Sequence, residues 1–398
     1  DIEMGDENDP FGLTIYGYLR ANVEQVFAIP SVGSSGETQK NSDPMEWADP
    51  AVHLYGKSRL TDNIDILFIL HGNGEGIRVG SAWGNLRVAD ELQFKVGTQY
   101  RRFGLFNEKL DELPAFVGIE PPELFDNDHL MLPRLTMFTI HGTTEIGNGS
   151  LLYSLDTDNG EGGAQHGVHP FGADIRYKTD VLIVGLSGYL STLGDGRTES
   201  TVAVGDGSPR GGVMPWMSGD KYHVFGGFIE TTWRRFILQT AYWMGDHNAK
   251  RDPDDVLTVV RNAGISTLQR ERFLGANASK ADSMLTADDV DVDVEYTART
   301  AYFRLGYVIP TRLGSVIPYA HWDWMYHPES IQSKTYGGDN ETGFADDGEF
   351  TKYSAGVVYK PASGVAIKID ASQHSQKFNG EMEAYPEIRV DFSYSFKM

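Results

Sequence analysis

Apolar and polar residues alternate strictly along this chain in segments of about ten residues. In the segment 13–24 the odd positions are apolar or glycine, whereas Arg20, Asn22 and Glu24 occupy even positions. The segment 386–396 repeats the pattern with Ile388, Val390, Phe392, Tyr394 and Phe396 on one face. A period of two is the period of a β-strand, and the second face is too polar for a buried core. The sequence therefore predicts many strands with one apolar and one polar face.

Sixteen runs of this kind can be counted in the sequence. They are 12–27, 51–60, 64–72, 77–88, 92–102, 134–144, 150–157, 171–178, 181–191, 220–231, 234–245, 295–309, 315–327, 349–360, 365–375 and 386–396. The first four boundaries are the least defined, because 51–88 can be divided differently.

The connections between these runs alternate in length. Seven are short and rich in Asn, Asp, Gly and Pro, as tight hairpins require. The others are mostly long, at 28–50, 103–133, 158–170, 192–219, 246–294, 328–348 and 376–385, and only the connection at 72–76 is short. This arrangement predicts one all-β domain over 1–398, a sixteen-stranded antiparallel transmembrane β-barrel with short periplasmic turns and long external loops. An even strand number brings both termini to the rim with the short turns.

A soluble sandwich or propeller is the alternative for an alternating pattern. It would not confine long loops to every second connection, and it would place polar residues outside an apolar core. No run of 18 apolar residues exists, so the sequence predicts no transmembrane helix. A barrel nevertheless suits a chain of low mean hydropathy, because a polar lumen dilutes its apolar residues.

Charge and cysteine content exclude several classes of function. The chain has 34 basic and 56 acidic residues, a formal net charge of −22, which argues against a nucleic-acid partner. It has no cysteine, so disulfides, thiolate zinc sites and cysteine nucleophiles are excluded. The histidines are scattered without a metalloprotease motif, and we expect no enzymatic activity and no cofactor, although acidic external loops are suited to bridging calcium. The start at Asp1 carries no signal-peptide pattern, and for an exported chain we expect that peptide to have been removed.

Aromatic residues cluster near both ends of the predicted strands. Near the short turns these are Trp233, Tyr307, Tyr359, Tyr394 and Phe396, and near the long loops they are Tyr189, Trp243, Trp322, Trp324 and Tyr326. Two aromatic belts are typical of a barrel that crosses a bilayer. The alternative is that aromatic residues are simply common at strand ends.

The connection 103–133 combines apolar and acidic residues. An external loop would not need so many large apolar side chains, whereas a loop packed inside the barrel would. We therefore expect it to fold inward as a constriction, with Glu108, Asp111, Glu112, Glu120 and Glu123 among its acids. Packing over the rim or at a subunit contact is the alternative.

Strand parity predicts which charged side chains line the lumen. The basic positions are Arg20, Arg59, Lys95, Arg101, Arg176, Arg304, Lys352, Lys368 and Arg389, and the acidic ones are Glu24, Asp174, Asp323, Asp370 and Asp391. We expect the acids of 103–133 to face basic wall residues that include Arg20 and Arg101, and this arrangement would create a transverse field that favours polar solutes. The connection 246–294 is predicted to be a long external loop with a helix that starts near Asp252 and Pro253.

Three segments carry a resemblance to a known family. The stretch Leu92–Glu108 resembles the strand-to-loop segment of Gram-negative outer-membrane porins, most closely the phosphate-selective O and P types. Ile15–Leu19 is similar to the first strand of general diffusion porins, and Phe392–Phe396 is similar to their terminal assembly signal. Lys397 and Met398 after the last aromatic residue depart from the family pattern. The Arg/Lys ladder of a phosphate-selective pore is not obvious, so phosphate selectivity is not inferred.

The resemblance implies a homotrimeric barrel in the bacterial outer membrane, in contact with the lipid bilayer and lipopolysaccharide. It also implies an inward third loop and passive diffusion of small hydrophilic solutes and ions. A substrate-specific channel of the same architecture, or a barrel that serves as a scaffold for another outer-membrane component, are the alternatives.

Overall fold

The computed structural model describes residues 13–32, 37–47, 50–74, 76–107, 117–119, 122, 134–158, 169–193, 213–331 and 345–397. Sixteen long strands form the body of the molecule. They are β1 (Thr14–Val26), β2 (Ala51–Thr61), β3 (Ile64–Asn73), β4 (Gly76–Ala89), β5 (Leu92–Tyr100), β6 (Arg134–Ile146), β7 (Gly149–Asp158), β8 (Phe171–Lys178), β9 (Leu182–Leu193), β10 (Met217–Trp233), β11 (Phe236–Arg251), β12 (Asp293–Tyr307), β13 (Gly314–Tyr326), β14 (Glu349–Ala362), β15 (Val365–Phe378) and β16 (Glu381–Lys397).

Each strand pairs antiparallel with its neighbours in sequence, and the sheet closes on itself. β1 pairs with β2 on one side, where Tyr18 lies opposite His53, and with β16 on the other, where Tyr18 lies opposite Ser395. Two short strands, Glu46–Trp47 and Ile309–Thr311, extend this sheet, and Ile29–Val32 pairs with Thr38–Asn41 in a separate hairpin. The predicted sixteen-stranded antiparallel barrel is confirmed.

The connections confirm the predicted alternation with one correction. β15 and β16 continue to Phe378 and from Glu381, so a two-residue turn replaces the long loop predicted at 376–385. Asn379 and Gly380 have φ values of 53° and 82°, and two positive φ values are what a tight hairpin turn between twisted strands requires. The described start and end of the barrel, in β1 and β16, lie at the rim with the short turns, as predicted.

Each strand has one face that points into the barrel and one that points outward, and around most of the sheet the inward face is the more buried of the two. In β16, Tyr385, Glu387, Arg389, Asp391 and Ser393 are buried, whereas the intervening apolar side chains are exposed. The exposed apolar side chains therefore form the outer surface, and charged and polar side chains point inward. The buried side chains show that the interior is largely filled.

A β-bulge at Gly80 shifts this parity within β4. Ile69 of β3 lies opposite Ser81, but the next residue, Leu70, lies opposite Val79. The extra residue lets Arg78 face inward on one side of the bulge and Arg87 on the other, although their numbers differ in parity.

The connection between β11 and β12 is 252–292, shorter than the predicted 246–294, because both strands continue past the predicted ends. It contains helices α1 (Pro253–Asn262) and α2 (Thr267–Leu274) and three 3₁₀ turns, Gly275–Asn277, Asp282–Met284 and Ala287–Asp289. The predicted start of α1 is confirmed: Asp252 accepts hydrogen bonds from the backbone of Asp254 and Asp255, and Pro253 is the first helical residue.

These helices are packed rather than solvated. Val256, Val259 and Phe273 are completely buried, in one apolar cluster with Trp216 and the inward-facing Tyr296. A connection with this much buried apolar surface covers part of the barrel mouth.

A buried ion pair holds this helical connection to its neighbours. Arg251 donates to both carboxylate oxygens of Glu329, at 3.0 and 2.7 Å, and to the carbonyl oxygens of Arg272 and Asp291. Arg272 in turn donates to the carbonyl oxygens of Ser330 and Asp346. Two connections, 252–292 and 327–348, are thereby joined to the end of β11 around two guanidinium groups.

The aromatic belts are only partly as predicted. Trp233 is exposed on the outer surface near a short turn, which fits a belt. Tyr189 and Trp243 are buried inside the barrel, so their assignment to the outer belt was wrong. Within the described ranges, no helix is long and apolar enough to cross a membrane.

The assignment of the outer face can be tested by placing an arginine at two different depths in the bilayer. Leu186 is 64% exposed near the middle of β9, and Val181 is 56% exposed at the adjacent short turn. Leu186→Arg should lower the free energy of unfolding in a bilayer by about 2–4 kcal/mol, because a guanidinium at the midplane is poorly solvated. Val181→Arg should cost about 0–1 kcal/mol, because it reaches the interface. Denaturant titration in liposomes measures both, and equal losses would contradict the assignment of the outer surface.

Candidate functional site

The inner wall has two regions that differ in solvent exposure. On β1 to β4 the charged side chains Arg20, Glu24, Arg59 and Arg87 are partly open, and the Arg87 side chain is 38% exposed. Lys95 on β5 is also partly exposed and lies 4.9 Å from the centre of the Trp83 ring. Around the rest of the wall most charged side chains are buried, and Arg101 is 1% exposed. We call the inner face of β1 to β5 the open wall and the remainder the covered wall.

Arg101 lies immediately after β5 and joins two strands of the covered wall. Its guanidinium forms ion pairs with Asp156 and Asp158 of β7 and lies 4.1 Å from the centre of the Tyr189 ring. Its own carbonyl oxygen accepts a hydrogen bond from Asn107 at 2.7 Å. Arg101 therefore both neutralises two buried carboxylates and holds the start of the connection that follows β5.

The other basic residues of the covered wall also have partners nearby. Arg176 donates to Asp174 at 2.7 Å and lies 5.3 Å from the Phe228 ring. Arg389 pairs with Glu387 at 2.5 Å, and its Nε lies 3.6 Å from Glu24. Lys368 is completely buried on β15, next to β16, which carries Asp391. The wall thus compensates much of its own positive charge.

Arg20 belongs to the open wall, but its ion-pair partner lies on β16, the strand that closes the barrel against β1. Its Nε donates to Asp391 of β16 at 2.7 Å. The carboxylate is buried and the guanidinium is partly exposed, so Arg20 presents one side to the lumen.

The connection after β5 enters the barrel interior in its described first part. Phe103 stacks 4.4 Å from the inward-facing Trp243 of β11, and Phe106 meets Tyr302 of β12 edge-on at 5.7 Å. The backbone N–H of Gly104 donates to Ser187 of β9 at 3.1 Å. These contacts lie on the strands across from β5, on the covered wall.

The described residues 117–119 continue on the same side. Arg304 of β12 donates to the carbonyl oxygen of Val117 at 2.7 Å, and Val117 packs with Ile317, Tyr319, Val358 and Ala366. Gly118 has a φ of 105°, and a Cβ at this position would lie 3.2 Å from the Arg304 guanidinium carbon. Glycine thus allows the chain to lie directly against a buried wall charge.

The predicted lining residues on strands, together with Arg101, all lie on the inner face. These are Arg20, Glu24, Lys95, Arg101, Arg176, Arg304, Lys368 and Arg389. Two of them bond to described residues of the connection 103–133: Arg304 donates to the carbonyl oxygen of Val117, and the carbonyl oxygen of Arg101 accepts from Asn107. The predicted acids Glu108, Asp111, Glu112, Glu120 and Glu123 lie outside the described residues.

Sequence reasoning missed several inward charges. Asp158 was missed because the strand was predicted to end at 157, and Arg87 because the Gly80 bulge shifts parity. Asp156 lies within the predicted strand 150–157, and its alternation with Leu155 was available as a signal. Glu387 lies on the polar face of β16, and its alternation with Ile388 and Val390 was available as a signal.

No group of three or more acidic or histidine side chains suited to a metal ion occurs among the described residues. The acids of 332–344, on which the calcium prediction partly rests, fall outside the described ranges. His321 and Asp323, a conceivable catalytic pair, lie 3.3 Å apart in the buried wall beside Arg304.

No family profile and no curated protein sequence matches the chain. The structure is nevertheless similar over nearly its full length to solved outer-membrane channels. The channel DcaP of Acinetobacter baumannii matches with a TM-score of 0.56 and 8% identity, covering 99% of this chain and 100% of that one. An anion-selective porin from Comamonas acidovorans matches with a TM-score of 0.53 and 12% identity, covering 96% and 99%.

OmpF of Salmonella typhi, solved in complex with daunomycin, matches with a TM-score of 0.53 and 13% identity, covering 99% of this chain and 100% of that one. At these identities the likeness concerns the fold. A closed barrel of sixteen antiparallel strands aligns from end to end with three such channels. The chain therefore has the fold of the Gram-negative outer-membrane porins.

Proposed function

We propose that this chain is a porin of the bacterial outer membrane, a passive diffusion channel for small hydrophilic solutes and ions. The observation that carries the proposal is the pairing of an apolar outer face with a charged, partly open inner face on a closed barrel. An apolar exterior suits lipid, and inward charges are stable only where water or a counter-charge reaches them.

We infer that the connection 103–133 narrows the channel. Its described parts support this, since Phe103, Phe106 and Val117 all contact inward-facing side chains of strands across from β5. A chain lying along the covered wall leaves the open wall as the side of the lumen where water and solutes pass. We call the space between this connection and the open wall the slot. The predicted acids of 103–133 would then face Arg20, Arg59, Arg87 and Lys95 across the slot.

We propose no catalytic role for the lumen. His321 and Asp323 share a buried site with Arg304, which donates to His321 at 3.3 Å, so the pair is better explained as part of the wall. A substrate-specific channel and a structural scaffold are the competing functions, and electrical recording separates them from a general pore.

The proposal predicts discrete, ohmic current steps when purified protein is added to a planar bilayer in 1 M KCl. A general pore should show currents that small neutral sugars do not block, because passive diffusion needs no binding site for them. Saturable block by one solute would favour a specific channel. A folded, inserted barrel that carries no current would contradict the channel and favour the scaffold.

The acidic constriction predicts a change in ion preference. The triple variant Glu108→Gln, Asp111→Asn and Glu112→Gln should shift the reversal potential in a KCl gradient towards anion preference, because loop acids would no longer attract cations to the slot. The shift should shrink at high salt, where pore charges are screened.

A matched control removes the same charge elsewhere. The control is the triple variant Asp62→Asn, Asp90→Asn and Glu91→Gln, whose residues lie at short turns on the rim opposite the long connections. This variant should change the reversal potential much less. Equal shifts of the reversal potential in both variants, or no shift in the first variant, would show that the acids of 103–133 do not line the slot.

We propose that the barrel is a homotrimer that contacts lipopolysaccharide, on the strength of the resemblance to the porin family. The expected protein mass in detergent is three times the 44.1 kDa of one chain. Light scattering corrected for bound detergent measures it, and a particle containing a single chain would contradict the trimer.

A further inference from the structure

A cavity of about 340 Å³ opens at the mouth of the barrel beside the short hairpin between β3 and β4. Its lining includes Ala51 and His53 of β2, His71 and Asn73 of β3, and Arg78 of β4. None of the described residues around it is acidic. The helical connection 252–292 covers another part of the mouth, whereas the connection beside this cavity is a short hairpin.

The imidazole rings are held in place by stacking. His53 lies 4.4 Å from the ring of Tyr18, nearly parallel to it, and 4.1 Å from the ring of His71. Tyr18 is buried and belongs to the same interior cluster as Tyr55. Two imidazoles are therefore fixed by a rigid aromatic base, which reduces the entropy that binding must overcome.

The bulge at Gly80 brings the third group to the same place. A Cβ at Gly80 would lie 2.4 Å from Nε2 of His71, so glycine makes room for that ring. The same bulge sets Arg78 opposite His71 in the strand pairing and aims it inward. The bulge thus places the Arg78 guanidinium beside the imidazoles of His53 and His71 in one cavity.

We propose that this cavity binds the oxyanion of a solute, a carboxylate or a phosphate, at the entrance of the channel. Guanidinium and imidazole N–H groups are donors suited to these oxygens, and Arg78 supplies a permanent positive charge. Arg20, whose backbone position lies opposite Ala51 in the pairing of β1 with β2, is the next basic group along the open wall.

The role of this site rests on the proposed function. In a diffusion channel, the site would raise the local concentration of anionic solutes before they enter the slot. A channel needs such binding to be weak, so that the solute leaves again. We expect a dissociation constant on the order of 1 mM for inorganic phosphate or acetate.

Calorimetric titration of the detergent-solubilised protein with phosphate, and separately with acetate, tests this without requiring current. Arg78→Gln and the double variant His53→Gln with His71→Gln should each weaken binding at least about tenfold, because each removes donors to the oxyanion. Arg312→Gln, at a short turn on the opposite rim, removes the same charge as Arg78→Gln and should leave binding unchanged. Stronger binding of phosphate or of acetate identifies which oxyanion the site prefers.

No saturable binding of either anion below about 50 mM, or binding that both cavity variants leave intact, overturns the site. Bilayer recording of the same preparations separates this from the function. If the protein conducts but does not bind either anion, the site is refuted and the channel function stands. If it binds an anion but does not conduct, the channel function is refuted and the site stands.

Discussion

The closed ladder of backbone hydrogen bonds is the constraint on which the rest of this structure depends. A sheet in lipid cannot leave an open edge, because each unpaired N–H or C=O group in hydrocarbon costs several kcal/mol. β1 satisfies both of its edges, pairing with β2 along 14–20 and with β16 along 16–26. Once the sheet is closed, every second side chain must point inward, and the strict alternation of the sequence follows from that geometry.

Closure also explains the chemistry of the interior. Inward side chains are polar for most of the circumference, yet much of the lumen is filled by 103–107, 117–119 and the helical connection 252–292. Charges beneath these segments are cut off from water and need partners. Arg101 has Asp156 and Asp158, and Arg251 has Glu329. The basic side chains Arg20, Arg59 and Arg87 of β1 to β4 instead remain partly exposed. The division into an open and a covered wall is therefore a consequence of where the connections pack.

The fold could be predicted from the sequence because a period of two reports directly on which face a residue occupies. Parity placed Arg20 of β1 and Arg389 of β16 on the inner face, and the structure agrees. Parity fails where the strand is irregular, as at Gly80, and where aromatic residues are assigned to a belt without regard to face, as with Trp243. The turn at Asn379–Gly380 was missed even though Asn-Gly is a strong hairpin signal.

The candidate site was predictable only in outline. Ion pairs such as Arg20 with Asp391 join residues 371 positions apart, and strand register, which alternation does not reveal, brings them together. The apolar content of 103–133 suggested burial, but its partners Trp243, Tyr302 and Tyr319 depend on the path of the chain across the lumen. The His53, His71 and Arg78 cluster depends on a bulge, which has no simple sequence signature beyond a glycine in a strand.

Thiol labelling of conducting channels tests most directly whether water passes along the open wall. The chain has no cysteine, so single substitutions report on one position each. Lys95 faces the lumen, the adjacent Val96 faces outward, and Lys352 is buried in the covered wall. A charged, membrane-impermeant methanethiosulfonate reagent should reduce the current of Lys95→Cys stepwise and leave Val96→Cys and Lys352→Cys unchanged. Modification that blocks Lys352→Cys but not Lys95→Cys would contradict the account.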